Sequence, residues 1–202
     1  MRAMEAPAGA LETAVSVDAR ADHYRLLARL LSGPARPELF GTLRATGGDP
    51  LGDAFADLHA RAAALGDEAV ACEHRALFAA RPQPRLMPYA SFYRNGHLFG
   101  RALAELRIDL ARMGIARNGD PTEPEDHVAN LSMIMAGLIA GRVGSVPVRA
   151  QAAFFARHIE PWAPKFLDDL EAAEGADFYA AVARFGRAFL AGEAAIGQNS
   201  GP

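Results

Sequence analysis

Apolar residues in this chain return every three or four positions, and almost nowhere at every second one. That rhythm belongs to helices with one buried face and argues against sheets, where apolar and polar residues alternate. Ala, Leu, Arg and Glu, the strongest helix formers, are abundant, while Val and Ile are sparse. The expectation is an all-α fold, a single globular multi-helix bundle of about nine or ten helices.

With 202 residues, 50% hydrophobic and 22% charged, the chain can bury a core of its own. Lys and Arg number 21, Asp and Glu 24, for a net charge of −3. A mildly acidic chain binds phosphate backbones poorly, so nucleic acid is not an expected partner. The lone cysteine, Cys72, excludes an internal disulfide and any multi-cysteine zinc or iron–sulfur cage. It falls within a helical pattern and reads as a small buried apolar side chain. Leu131–Ala140, the most apolar stretch, is too short for a bilayer, which needs about 20 residues. The N-terminus carries Glu5 and Glu12 and no continuous apolar run, unlike a secretory signal. The expected location is the cytoplasm.

A first helix is predicted over Asp18–Leu31, with Ala21, Tyr24, Leu27, Ala28 and Leu31 on one face and Ser32-Gly33-Pro34 as its stop. A short helix over Pro37–Ala45 should follow, then Leu51–Leu65 and Asp67–Ala80, separated by Gly66. Arg81–Tyr89 holds three prolines in nine residues, which forbids a continuous helix. Helix should resume near Ser91 or His97 and run to Met113. Thr122 and Glu125 match a capping box, with Pro124 in the first turn of a helix whose stripe is Val128, Leu131, Ile134, Met135, Leu138 and Ile139. Further helices are predicted over Pro147–Ile159, Pro164–Ala173 and Ala176–Ala195. The organisation expected is a flexible segment over 1–17, a helical domain over 18–196 with a proline-rich loop or hinge at about 81–90, and a flexible tail over 197–202. Such a hinge permits domain swapping, so a monomer and a domain-swapped dimer are both open.

No catalytic constellation survives inspection. There is no His-Glu-x-x-His, no pair of Glu-x-x-His elements, no phosphate loop and no Gly-x-Ser-x-Gly elbow. The chain is expected not to be an enzyme and to carry no cofactor or metal. Two surfaces remain. Glu123, Glu125 and Asp126 crowd one helix start, beside His127. Acids are favoured there by the helix dipole, yet so many would also form an anionic patch able to take guanidinium groups. His127 either extends that polar surface or caps the helix. Leu77 and Phe78, then Met87, Pro88, Tyr89, Phe92 and Tyr93, frame the proline-rich loop. Those residues either pack the loop onto the core or line an apolar groove for a peptide.

The order of segments resembles the TorD/DmsD family of redox-enzyme maturation chaperones, cousins of the NarJ group. The resemblance rests on Leu77-Phe78, the run Met87-Pro88-Tyr89-Ala90-Ser91-Phe92-Tyr93, the run Glu123-Pro124-Glu125-Asp126-His127, and Phe154 to Phe166. It extends from about Asp22 to Glu193, with DHYRLLARLLSGP similar to the first long helix and DFYAAVARFGRAFLAGE to the last. The resemblance implies an all-helical, non-enzymatic cytoplasmic chaperone. It would bind the twin-arginine leader and the cofactor-free form of a molybdoenzyme catalytic subunit, assist cofactor insertion, and release the client to the twin-arginine export machinery. It also implies a leader site on Leu77, Phe78, Pro88, Tyr89, Asp126 and His127, with Ser91 and Tyr93 continuing the loop. Glu123 joins them from the acidic run. The chain departs from some members at His74, where they have Trp, and at Met87-Pro88-Tyr89, where they have Pro-Pro-Trp. The alternatives are a NarJ-like chaperone whose client lacks the twin arginines and, further off, a metal-dependent helical enzyme using His127 and its acids.

Overall fold

The computed structural model describes residues 9–35, 48–115, 123–142 and 146–199. Among them the all-α expectation holds. The helices are α1 (Gly9–Leu31), α2 (Pro50–Ala64), α3 (Asp67–Phe78), α4 (Ala90–Asn95), α5 (Arg101–Arg112), α6 (Val128–Ile139), α7 (Val148–His158), α8 (Ala163–Glu171) and α9 (Phe178–Asn199). α1 packs along α6, and α9 packs against α2, α8 and α7. Among the described residues, no helix is long and apolar enough to cross a membrane.

The core lies where these helices meet. Tyr24, Leu27, Leu131, Trp162, Phe166, Phe178, Tyr179 and Phe185 are fully buried. Burying each large apolar side chain contributes about 1.5–3 kcal/mol. The Trp162 indole N–H donates to the His158 carbonyl at 2.7 Å, so burial leaves it satisfied. Gly186 lets α9 approach α8, since a Cβ there would meet the Leu167 methyl groups at 3.0 Å. One buried ion pair ties the ends of the chain together. Arg20 forks onto Glu193 at 2.7 and 2.9 Å, and the Tyr24 hydroxyl donates to the same carboxylate at 3.2 Å. Burial pushes the Tyr24 phenol well up, and the Glu193 charge adds to it.

Several boundaries differ from those predicted. α1 begins at Gly9 rather than Asp18, and α9 runs on to Asn199. The helix predicted over Pro37–Ala45 lies outside the described residues, as does Thr122. The helix predicted to reach Met113 is two helices. Gly96, at φ +78°, closes α4 in the left-handed region, and Gly100, at φ +75°, precedes α5. Between them Phe99 takes φ +68°, which is rare for a side chain with a Cβ. Cys72 is exposed rather than buried, with its sulfur 2.9 Å from an Arg75 guanidinium nitrogen.

The largest correction concerns α6. No capping box opens it. Helix begins at Val128, and Glu123 to His127 form the turn before it. The cap is His127, whose Nδ1 accepts the Ala129 N–H at 3.1 Å. Competing backbone bonds explain the late start. Val128 N–H donates to the Pro88 carbonyl at 2.9 Å and Ala90 N–H to the Asp126 carbonyl at 3.0 Å. The chain is therefore held extended against the proline-rich loop, where Tyr89 and His127 form an isolated antiparallel bridge.

Candidate functional site

The proline-rich loop is fixed at its C-terminal end. Leu86 is buried and its N–H donates to the Leu77 carbonyl at 3.0 Å. Pro88 is buried next, and the Tyr89–His127 bridge follows. Proline suits this stretch because the backbone is extended and its missing N–H leaves no ladder bond broken. α4 then starts directly, and its first N–H groups need acceptors. Asp126 supplies both. Its carbonyl takes Ala90 N–H, and its carboxylate Oδ2 takes Ser91 N–H at 2.8 Å. Ser91 Oγ in turn accepts the Phe99 N–H at 3.0 Å, which helps hold that residue in its unusual conformation.

This geometry overturns the anionic patch expected from the sequence. Asp126 is 0% exposed and faces inward as the cap of α4. Its Oδ1 accepts no hydrogen bond from the described residues. Glu125 is engaged by Arg107, with guanidinium nitrogens at 2.8, 3.1 and 3.2 Å from its oxygens. Only Glu123 is exposed, and its carboxylate accepts from the Tyr89 hydroxyl. The Tyr89 phenol is pushed up, by burial first and then by that bond.

The other predicted residues divide between core and surface. Leu77 is buried. Phe78 is half-buried, its ring 5.0 Å from His74 and 5.5 Å from Tyr179. The Tyr89 ring lies edge-on to His127 at 5.0 Å. Burial pulls the His127 imidazole below its usual value against the upward pull of Glu123 and Asp126. Burial also lowers His74, with His127 and Arg75 adding to it.

On the far side of the loop is a groove of about 800 Å³. Gln83 to Met87 form one side, Phe92 and Tyr93 of α4 belong to the floor, Asp169 comes from the last turn of α8, and Ala173 and Glu174 come from the connection after it. Phe92 is 38% exposed there. The Tyr93 ring lies 5.8 Å from Trp162, and its hydroxyl donates to Asp169 Oδ2 at 3.1 Å. Burial raises the Tyr93 phenol, and the Asp169 charge adds to it, so it stays a donor at any physiological pH. Lys165 pairs with the other Asp169 oxygen. The groove joins apolar side chains to carboxylates, which suits a peptide carrying a cation beside apolar residues. Tyr93 was foreseen as a site residue. Asp169 and Glu174 were not, because nothing local to Lys165–Glu174 signals that this helix end will meet the loop. No group of three or more His, Cys, Asp or Glu side chains able to hold a metal occurs among the described residues.

Comparison with known proteins agrees with the fold and with the family resemblance. A solved structure described as a redox enzyme maturation protein from Archaeoglobus fulgidus superimposes with a TM-score of 0.56 at 20% identity, covering 85% of this chain and 93% of that one. At that identity the likeness speaks for the fold. The chaperone protein TorD of Vibrio cholerae is 30% identical over 122 residues, 56% of each chain. A protein described as the Tat proofreading chaperone DmsD of Haemophilus influenzae is 34% identical over 98 residues, 48% of this chain and 46% of its own. The chain thus spans about half the length of the curated relatives it matches. The family model described as nitrate reductase delta subunit matches residues 47–168, a span that takes in α2 through most of α8 and so the loop, the α6 turn and the floor of the groove. The chain belongs to that family, the nitrate reductase delta subunit family that takes in the TorD and NarJ group.

Proposed function

We propose that this protein is a non-enzymatic cytoplasmic chaperone that binds the twin-arginine leader of a molybdoenzyme catalytic subunit while that client is still without its cofactor. It would keep the client from early delivery to the twin-arginine export machinery. The observation that carries this reading is the groove between the proline-rich loop and the end of α8, where Leu86, Met87, Phe92 and Tyr93 lie beside Asp169 and Glu174. Family membership and the names of the relatives support it. In this reading Met87, Phe92 and Tyr93 contact the leader, with Phe78, Tyr89 and Glu123 on the adjoining surface. Leu77, Pro88, Ser91, Asp126 and His127 hold the loop and α4 in place.

Isothermal titration of the protein against a leader peptide tests the reading. Binding should weaken at least tenfold when both leader arginines become alanine, the equivalent of about 1.4 kcal/mol or more. Unchanged affinity would remove arginine recognition from the function.

One observation favours a second reading. The turn before α6 offers a client fewer free carboxylates than its sequence suggests, since Asp126 is buried and Glu125 is paired with Arg107. A NarJ-like chaperone whose client lacks the twin arginines fits that. A pull-down with full-length and leader-deleted client separates the two: equal capture of both supports the second.

A further inference from the structure

Arg85 does something the sequence did not suggest. It stands just before the buried anchor Leu86, beyond the exposed Arg81, Pro82 and Gln83. Its guanidinium reaches across to the connection between α8 and α9. One Nη donates to the Glu174 carbonyl at 2.5 Å and lies 3.5 Å from the Glu174 carboxylate. Both residues border the groove. A guanidinium belongs in such a place. The Glu174 carbonyl and carboxylate lie just past the C-terminus of α8, where the negative pole of the helix dipole and the nearby Asp169 carboxylate also favour a cation.

We propose that Arg85 is a built-in stand-in for a client arginine: it occupies a guanidinium seat at Glu174, just past the C-terminus of α8, holds the 81–87 loop at the rim of the groove, and yields the seat to an arginine-bearing peptide. The proposal rests on the leader-binding reading above and adds where the arginine goes and what regulates its entry. The apolar part of the groove continues from the seat through Leu86, Met87, Phe92 and Ala173. A peptide in which arginine is followed by apolar residues satisfies both at once.

The strength of the contact matches this role. The side chains of Arg85 and Glu174 are 47% and 91% exposed. An exposed pair of this kind shifts an equilibrium by about fivefold at most and weakens with salt. It biases the loop toward closure without barring a competitor.

The test combines leader-peptide titration with hydrogen exchange of the loop, on the wild-type protein, Arg85→Ala, and Arg85→Ala with Glu174→Gln. Arg85→Ala should tighten leader affinity about two- to fivefold and speed exchange in the loop of the peptide-free protein. Adding Glu174→Gln should cancel the gain, because it strips the seat as well as the latch. The gain should also vanish with a leader whose arginines are alanine. A gain that persists with that leader would mean Arg85 merely blocks the groove, and would overturn the stand-in. Unchanged affinity with unchanged exchange overturns the latch. If no form binds the leader, the preceding reading falls. Loop exchange then decides the latch alone: acceleration in Arg85→Ala keeps it, and no change removes it.

Discussion

Two carboxylates start two helices from elsewhere in the fold, and they do so to different degrees. Glu73, on α3, caps α9. Its Oε1 accepts the N–H groups of Asp177 and Tyr179 at 2.9 and 2.7 Å, and its Oε2 accepts that of Phe178 at 3.1 Å. Both oxygens are used, and the helix they start is 22 residues long and packed against most of the bundle. Asp126 caps α4 with one oxygen while the other goes without a partner, and α4 has only six residues. A helix that short does not persist alone in water. The Glu73 cap secures the permanent framework. The Asp126 cap sustains a marginal element, and that element carries Phe92 and Tyr93 into the groove. Marginal local stability is common where a surface must adjust to a ligand.

Breaking the stronger cap should have the larger effect on stability. Glu73→Ala leaves three N–H groups of α9 without their charged acceptor and should lower stability by about 2–3 kcal/mol. For a chain of this size that is a fall in Tm of about 4–12 °C, read by thermal unfolding followed by circular dichroism. Leader affinity should change little. Asp126→Ala should have a smaller effect on stability, about 1 kcal/mol, because losing the Ser91 bond is partly offset by removing a buried, half-satisfied charge. Its effect on leader binding should be the larger one, since α4 is no longer held. Asp126→Asn sharpens the comparison. The amide oxygen can still accept from Ser91, so stability and binding should both stay close to wild type. Loss of binding in Asp126→Asn at unchanged Tm would show that the charge itself meets the client.

The helices were legible because their signal is local. The stripe from Val128 to Ile139 and the alternation of apolar and polar faces in α8 need no partner to be read. The loop was legible too, since prolines forbid helix whatever surrounds them. What could not be read was the pairing of distant residues. Thr122-x-x-Glu125 is a sound local start signal, yet α6 begins later because Pro88 and Ala90 compete for the backbone of Asp126 and Val128. Asp126 has the composition of a surface acid and becomes a buried cap only when α4 arrives above it. Asp169 looks like an ordinary helix-surface acid and Glu174 like an ordinary connector acid until the proline-rich loop and α4 come beside them. The segments from Leu77 to Tyr93 and from Glu123 to His127 could therefore be picked out as a candidate region, while which of their side chains cap, pair or face solvent is set by long-range contacts.

The smallest expected effect tests the hinge between the two halves of the site. His127 caps α6 through an unprotonated Nδ1, packs on Tyr89, and is faced by Glu123, Asp126 and His74. Its folded pKa is lowered, chiefly by burial, so the unfolded chain takes up the proton first as pH falls. The stability tied to the neutral ring is fully present above the unfolded value of about 6.5 and declines below it. His23, His74 and His158 are lowered in the same direction, each chiefly by burial, so the whole protein should lose stability as pH drops from 7 to 5. Asn is itself a good helix cap, so His127→Asn should cost only a few tenths of a kcal/mol at pH 7.5. It should also flatten the pH dependence by no more than one proton's worth, about 1.4 kcal/mol per pH unit. Denaturant midpoints across that pH range measure it. If His127→Asn keeps the wild-type slope, the ring is not the titrating cap, and the sensitivity belongs to the other three histidines.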